Sequence, residues 1–289
     1  MAKPRILVQL DLDAHASVFD AVVAVDAGVD HLLQYSGVTS ETLQGLVHGA
    51  IFTRSPKDLK NTAIFIGGSD VQEAERLLDD VRNCFFGPMC VSVMMDASGA
   101  NTTAAAAVLA AARHVQLGSA TALVLGGTGP VGRRVARLLA RDGATVRLAS
   151  RRAERAEAAC AAVRESVAEA AVHPFATKSF ESTAAAVDGA DVVISAGAAG
   201  IELLPADLLN ASTGLRVAID LNAVPPLGIA GVQATDKAVE HEGVICYGAI
   251  GVGGTKMKIH ATAIGRLFQS TCQVFDAEEI YAIGRELEA

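Results

Sequence analysis

The chain has 289 residues, 51% of them hydrophobic, which is enough for two domains that each bury a core. Its net charge of −8 and its lack of tryptophan argue against a nucleic-acid partner and against an anionic membrane surface. No uninterrupted apolar run reaches the roughly 20 residues that span a bilayer. No signal-peptide pattern precedes the first predicted strand, so we expect a cytoplasmic protein.

The first part of the chain alternates short β-branched runs with helical runs, a pattern typical of parallel sheets with crossover helices. Thr39 opens a stretch of the kind that caps a helix. The predicted strands are residues 6–10, 30–35, 63–67 and 91–95, and the predicted helices are residues 18–27, 41–50, 71–85 and 101–115.

A second alternating series begins after a break at residues 117–119. The glycine-rich residues 244–256 lack the spacing of a P-loop, and we predict a flexible turn that presents Lys256 to a cleft. The pattern alone assigns the last two helices, 257–269 and 277–287, to neither domain. The other predicted strands are 122–125, 145–149, 191–195 and 215–220, and the other helices are 131–141, 154–170 and one after Pro205.

The cysteines and histidines lack the spacing of a metal site. The five cysteines are odd in number and include no Cys-x-x-Cys pair, so we expect buried free thiols and no disulfide framework. The seven histidines form no pair with metal-binding spacing. We therefore predict no metal site and interpret each histidine as a surface or core residue.

The most informative pattern is a glycine-rich turn between an apolar strand and an amphipathic helix, the context of a dinucleotide site. Gly127 would allow the tight turn, Gly129 the close approach of a pyrophosphate, and Gly132 the packing of helix on strand. The helix N-terminus would offer N–H groups to the anion. The alternative is an empty turn whose glycines are only geometric. The predicted cofactor-binding residues are Gly127, Thr128, Gly129, Pro130, Val131 and Gly132.

The end of the next strand favours NADP over NAD. An NAD site usually presents an acidic residue there to the ribose 2′-hydroxyl. This chain presents Ser150, Arg151 and Arg152, with Arg155 about one turn later. Guanidinium groups bind a 2′-phosphate bidentately, so we predict NADP as the cofactor. The alternative is a solvated basic start of a helix.

Two further strand ends are candidates for cofactor contacts, because ligands of doubly wound sheets lie beyond the carboxyl ends of strands. Ala196 and Gly197 are small enough to let a nicotinamide ring lie near the backbone. Asn222 could hydrogen-bond the amide or ribose of the cofactor. For Asp220, a capped turn is the alternative interpretation.

Several motifs along the chain are shared with one known family. They are Ser17–Asp20, Ala63–Gly68, Phe85–Pro88, Asn101–Ala106, Gly127–Gly132, Ser195–Gly197, Asn222–Ile229 and Phe275–Tyr281. With these motifs the chain resembles the NADP-dependent methylene-tetrahydromethanopterin dehydrogenases of bacterial one-carbon metabolism, over almost its whole length. The resemblance implies reversible oxidation of a methylene-tetrahydropterin to the methenyl form with NADP, and some relatives also accept methylene-tetrahydrofolate.

The fold that the resemblance implies is of the α/β class, with an NADP-binding Rossmann domain and a second α/β substrate domain. The substrate domain would comprise residues 1–117 and the C-terminal helices 251–289, with the Rossmann domain at 118–250. The resemblance also implies a homo-oligomer, such as a trimer. Lys256 matches the family's lysine and would fix the pterin ring.

We expect Asp20 to act with Lys256 as the catalytic pair, because Asp20 follows a helix start facing the strand ends and could bind pterin N–H groups. The expected substrate-binding residues are Asp96, Asn101 and Thr102; the last two open a helix whose N–H groups could bind pterin oxygen atoms. Two alternatives remain: an NADP-dependent dehydrogenase of another small substrate, of the shikimate or glutamyl-reductase kind, and a non-catalytic NADP-sensing protein.

Overall fold

The computed structural model describes residues 3–289, which divide into two compact units. The first unit comprises the residues up to Thr102 together with Met257–Ala289, and the second comprises Thr103–Lys256. The predicted limits, after residues 117 and 250, differ from these divisions. Both divisions fall inside helices, α4 (Ala100–Ala112) and α9 (Ala249–Arg266), where no turn or change of composition marks them.

The first unit contains a five-stranded parallel sheet. Its strands are β1 (Ile6–Asp11), β2 (His31–Tyr35), β3 (Thr62–Gly67), β4 (Ser92–Met95) and β12 (Val274–Phe275). Their order is β12-β4-β3-β1-β2, so β3 is central and is buried at every position, which explains its uninterrupted apolar sequence. The helices are α1 (Val18–Asp26), α2 (Ser40–Ile51), α3 (Val71–Asn83) and α10 (Ala277–Glu286), together with parts of α4 and α9.

Helix α3 shows why the predicted helices form where they do. Its buried residues recur at the helical period, from Val71 and Ala74 to Leu77, Leu78 and Val81. The Asp70 side chain caps the helix by accepting the backbone N–H of Glu73 at 3.0 Å. The capping predicted at Thr39 is present as well: it is the N-cap residue of α2.

The second unit contains a seven-stranded sheet. Its strands are β5 (Thr121–Leu125), β6 (Thr145–Ser150), β7 (Val172–Ala176), β8 (Val192–Ser195), β9 (Val217–Asp220), β10 (Lys237–His241) and β11 (Val244–Tyr247). The order is β10-β11-β9-β8-β5-β6-β7, with only the β10–β11 pair antiparallel. The chain reverses its direction of winding between β5 and β8, the point at which doubly wound sheets bind ligands. The helices of this unit are α5 (Pro130–Arg141), α6 (Ala153–Ser166), α7 (Phe180–Val187) and α8 (Ala206–Ala211), with parts of α4 and α9.

The predicted flexible turn at residues 244–256 is wrong, because this stretch forms β11 and the start of α9. Its glycines suggested a turn, since glycine disfavours helix. Two of them instead allow a close approach of backbone: a Cβ atom on Gly248 would collide with Gln233, and one on Gly251 with Asp236. Tertiary packing therefore overrides local propensity here.

The expectation that all cysteines are free thiols is also wrong. Cys90 and Cys272 form a disulfide across 182 residues of sequence, with their Cα atoms 5.2 Å apart. Each precedes one of two paired strands, β4 and β12, so strand pairing brings them together. Cys84, Cys160 and Cys246 are free, and burial raises the pKa of Cys160 and that of Cys246 to about 11.

His114 makes a side-chain contact within the second unit. Its Nε2 atom lies 2.8 Å from the hydroxyl of Tyr247, at the end of β11. Burial, followed by the charges of Arg113 and Arg216, holds the pKa of His114 below its usual value of 6.5. Protonation of this imidazole is therefore disfavoured in the folded chain.

Among residues 3–289, no helix has both the length and the apolar character needed to cross a membrane. The same residues contain no group of three or more His, Cys, Asp or Glu side chains arranged to hold a metal ion.

Candidate functional site

The glycine-rich turn of the second unit follows β5 and leads into α5. Gly126 has a positive φ of 65°, and a Cβ atom added to it would lie 2.6 Å from the Cα of Gly197. A Cβ atom on Gly127 would lie 2.8 Å from Leu148 Cγ, so Gly127 allows close packing against β6. The tight turn expected at Gly127 therefore belongs to Gly126, which takes the left-handed conformation.

The other two glycines of the motif differ in the space around them. A Cβ atom on Gly132 would lie 2.7 Å from Gly127 Cα, so α5 packs directly on the turn. A Cβ atom on Gly129 would meet nothing closer than the Gly126 carbonyl oxygen, at 3.6 Å. Arg133 donates the first backbone hydrogen bond of α5 to Gly129, so the preceding N–H groups belong to the helix N-terminus. The turn has the open backbone and positive dipole end that a diphosphate requires.

A cavity of about 530 Å³ lies at this turn. It brings together most of the predicted cofactor residues, whereas Gly127, Pro130, Val131, Gly132 and Asn222 are not in its lining. The lining residues are Gly126, Thr128, Gly129, Ser150, Arg151, Arg152, Arg155, Thr177, Ala196, Gly197, Ala198, Ile201 and Leu203.

The cavity is basic where it meets the end of β6. Arg152 is the N-cap residue of α6, and Arg151 and Arg155 are exposed beside it. The backbone N–H of Thr177 donates to the carbonyl of Ser150 at 3.0 Å, which places a further hydroxyl residue in the lining. Three arginines and no acidic residue line the cavity, a composition that fits a phosphate group.

Ala196 and Gly197 lie where the end of β8 meets the glycine-rich turn. The backbone N–H of Ala196 donates to Leu125 at 2.9 Å, which keeps the two strand ends together. A Cβ atom on Gly197 would lie 2.5 Å from Leu203 Cδ1. Packing against Leu203 therefore favours glycine at position 197, and a contact of Ala196 or Gly197 with the nicotinamide stays a prediction.

Asp220 and Asn222 order the loop that follows β9. The buried Asp220 carboxylate accepts backbone N–H groups of Asn222 at 3.1 Å and of Ile229 at 3.0 Å. Burial raises the pKa of Asp220, and these hydrogen bonds oppose the rise. The Asn222 side chain donates to Pro226 and accepts from Val224, so its polar atoms bond within the loop. The capped-turn interpretation describes Asp220, and a cofactor contact of Asn222 stays a prediction.

In the first unit, Asp96 organises the start of α4. Its buried carboxylate accepts the backbone N–H groups of Asn101 at 2.9 Å and Thr102 at 3.1 Å, and the hydroxyl of Thr102 at 2.6 Å. The Asn101 amide donates to the Met95 carbonyl and to Asp276, the N-cap residue of α10. The three predicted substrate residues therefore adjoin one another, and their polar atoms are engaged in the protein.

Asp20 lies in the first turn of α1, where its backbone N–H donates to the Ser17 side chain at 3.2 Å. Its side chain is 14% exposed and lies 4.0 Å from the ring of His260, which is also 4.0 Å from Asp96. A Cβ atom on Gly67, at the end of β3, would lie 3.5 Å from Asp20 and 3.1 Å from Asp11. The carboxylates of Asp11 at the end of β1, Asp20 in α1 and Asp96 after β4 thus lie near one another at the carboxyl ends of these strands.

Lys256 lies on α9, one helical turn before His260 and on the same face of the helix, because residues four apart are neighbours there. Lys256 is half-buried. It is the last residue of the second unit, and its place in a pterin site stays a prediction.

Comparison with known proteins identifies the family. The Bifunctional protein MdtA of Methylorubrum extorquens is 45% identical over 285 residues, which cover 98% of this chain and 99% of that protein. An NAD(P)-dependent methylenetetrahydromethanopterin dehydrogenase of the same organism is 33% identical, covering 90% of this chain and 87% of its own. The chain belongs to the methylene-tetrahydromethanopterin dehydrogenase family. The family prediction is thereby confirmed.

Other comparisons agree with this family assignment. Residues 18–98 match the family described as methylene-tetrahydromethanopterin dehydrogenase, N-terminal, and residues 126–276 match the NAD(P)H-binding family. The dehydrogenase is therefore an oxidoreductase, and the predicted cofactor is confirmed at the level of an NAD(P)-binding domain.

Solved structures share the fold at low identity, and the predicted α/β class with a Rossmann domain is confirmed. Quinate dehydrogenase from Corynebacterium glutamicum is 14% identical with a TM-score of 0.54, covering 98% of this chain and 99% of its own. The 5-ketofructose reductase of Gluconobacter sp. strain CHM43 is 15% identical with a TM-score of 0.51, covering 99% of both chains. At these identities the likeness concerns the fold alone.

Sequence reasoning missed some residues of this dehydrogenase. Thr177 gave no signal, because it follows β7, an edge strand whose Pro174 weakens a strand prediction. Asp11 accepts the backbone N–H of Ser17 at 2.9 Å and so orders the loop before α1; its place at a predicted strand end could have identified it. His260 is fully buried, which agrees with the prediction of a surface or core histidine, but no local spacing indicates that it lies beside Asp20 and Asp96.

Proposed function

We propose that the dehydrogenase catalyses reversible hydride transfer to NADP from methylene-tetrahydromethanopterin, from methylene-tetrahydrofolate or from both, giving the methenyl form. The observation that carries the proposal is the cavity at the glycine turn of the second unit, with three arginines in its lining. The pterin substrate is supported by the relative at 33% identity and by the family that matches residues 18–98, both described as methylene-tetrahydromethanopterin dehydrogenases.

The proposed roles in cofactor binding follow from the lining of the cavity. The open backbone at Gly129 and the N-terminus of α5 would hold the diphosphate. Arg151, Arg152 and Arg155 would bind the 2′-phosphate, which selects NADP over NAD. Ala196 would lie near the nicotinamide. When bound, NADP supplies the hydride acceptor.

Loss of a hydride from a carbon between two nitrogens leaves a cation and releases no proton, so the step needs no general base. The protein must instead position the reactants at about 3–3.5 Å and favour the charge that develops. The partly exposed Asp20 carboxylate would stabilise that cation electrostatically. Lys256 would bind the pterin ring away from the reacting carbon.

Asp96, Asn101 and Thr102 would act on the pterin through the start of α4. Because the Asp96 carboxylate binds the backbone of Asn101 and Thr102, it fixes the geometry of that helix start. This network would then hold the start of α4 in the position that the substrate requires. A cytoplasmic location, a homo-oligomer such as a trimer, and the domain limits at residues 117 and 250 remain proposals from the sequence.

A substrate panel tests the proposal. Purified dehydrogenase with NADP is given methylene-tetrahydromethanopterin, methylene-tetrahydrofolate, shikimate or quinate, and NADPH is followed by absorbance. We expect turnover with the pterins and none with the hydroxy acids. Turnover of shikimate or quinate alone would favour the alternative dehydrogenase, and NADPH binding without any turnover would favour a sensing protein.

A further inference from the structure

The second half of α9 places one histidine in the interior of the first unit. His260 is fully buried, and its ring stacks on Phe65 of β3 with centroids 5.6 Å apart and planes 20° apart. The ring centroid of Phe19 on α1 lies 6.3 Å away. These contacts fix the plane of the imidazole and therefore the directions of its two nitrogens.

Each ring nitrogen faces a different carboxylate. Nε2 lies 4.0 Å from Oδ1 of Asp20, and Nδ1 lies 4.0 Å from Oδ2 of Asp96. Buried polar groups are costly unless they are paired, and two carboxylates close together repel each other. At 4.0 Å these are charge contacts rather than hydrogen bonds. An imidazole presents nitrogens on two edges of one rigid ring, and in its protonated form, with an N–H on each nitrogen, it attracts both carboxylates at once.

We infer that His260 is a positioning residue of the hydride-transfer reaction, which sets the Asp20 carboxylate and the start of α4 through its two ring nitrogens. The inference rests on the proposed function. One nitrogen faces Asp20, which carries the proposed charge stabilisation. The other faces Asp96, whose carboxylate holds the backbone N–H groups of Asn101 and Thr102. A single side chain thus joins the proposed catalytic and substrate-binding residues of this unit.

The groups that surround the His260 ring come from several elements of the fold. Asp20 approaches from α1 and Asp96 from the end of β4, while β3 contributes the apolar ring of Phe65. Lys256 lies one turn earlier on α9 itself. Displacing either carboxylate by about 1 Å would misplace groups that must be held in reacting geometry, and such misplacement can cost about 100-fold in rate.

Two substitutions separate positioning from packing. His260→Phe keeps an aromatic ring on Phe65 but removes both nitrogens, whereas His260→Gln keeps an N–H donor and loses the ring. We expect His260→Phe to lower kcat/KM for the methylene pterin about 100-fold, and His260→Gln to lose much less, with NADPH affinity unchanged in both. His31→Gln, in the exposed edge strand β2, is the control and should match the wild type.

Equal losses in the two variants, or full activity in both, would overturn the role of His260. If His260→Phe does not fold, His260→Gln is combined with Asp20→Asn. A loss of activation free energy in the double variant that is smaller than the sum of the two single losses supports action through Asp20, and additive losses overturn it. A wild-type chain that turns over neither pterin would instead remove the proposed function itself, so the two failures are distinguishable.

Discussion

Replacing Gly129 with alanine should separate cofactor binding from folding. Gly129 has φ −76° and ψ 169°, which alanine adopts without strain. The added Cβ would have ordinary contacts with the carbonyl oxygens of Gly126 at 3.6 Å and Ala196 at 3.8 Å. We therefore expect the apo protein to keep its free energy of unfolding, or to gain about 0.4–1 kcal/mol from a less flexible unfolded chain.

The same methyl group would occupy the place proposed for the diphosphate. Forcing a methyl into a closely packed contact costs about 1–3 kcal/mol. This corresponds to a rise of about 5- to 150-fold in the Kd for NADPH. Calorimetric titration with NADPH measures the affinity, and thermal unfolding of the apo protein measures the stability.

Two other glycines serve as controls. Gly214 has open space around it, so Gly214→Ala should leave the NADPH affinity unchanged and should match Gly129→Ala in stability. Gly132→Ala should lower the free energy of unfolding by about 1–3 kcal/mol, because its Cβ would lie 2.7 Å from backbone at Gly127. A Gly129→Ala protein that binds NADPH as tightly as the wild type would refute the reasoning.

Other predictions concern the cofactor choice, the reacting centre and pH. Alanine at both Arg151 and Arg152 should raise KM for NADP far more than KM for NAD, and equal rises in steady-state assays would contradict the phosphate role. Asp20→Asn should lower kcat about 100-fold with unchanged NADPH affinity, and a loss confined to KM would argue against charge stabilisation. Lys256→Ala should raise KM for the pterin, and full turnover at low pterin concentration would remove this residue from the site. Because burial lowers the pKa of His114, its contribution to stability is fully present above about pH 6.5 and is lost as pH falls through the lower folded pKa. Urea unfolding between pH 5 and 8 should therefore be less dependent on pH in His114→Gln, and identical profiles would contradict this.

The cofactor turn was predictable because its signal is local. The glycine spacing, the apolar strand before it and the arginines at the end of β6 lie within one βαβ unit. The separate roles of the glycines were not predictable, since they depend on contacts with Leu148 on β6 and with Gly197, which follows β8. Spacing indicates that a turn is present, and only the assembled sheet shows which glycine takes the positive φ.

The first unit was predictable as strands and helices but not as a cluster. Asp20, Asp96 and His260 are far apart in sequence, and their approach depends on the order of β1, β3 and β4. The same reason hid the pairing of Cys90 with Cys272, which follows from the contact of β4 with β12. Residues that are far apart in sequence and belong to no spaced motif give no local indication that they meet in the fold.

The most direct test of hydride transfer is an isotope-labelling experiment, which shows where the transferred hydrogen goes. Methylene-tetrahydromethanopterin with deuterium on its methylene carbon is incubated with the dehydrogenase and NADP, and the NADPH formed is analysed by mass spectrometry. Direct transfer predicts one deuterium in each NADPH and one left on the methenyl product. Unlabelled NADPH, or no NADPH despite tight cofactor binding, would contradict the account.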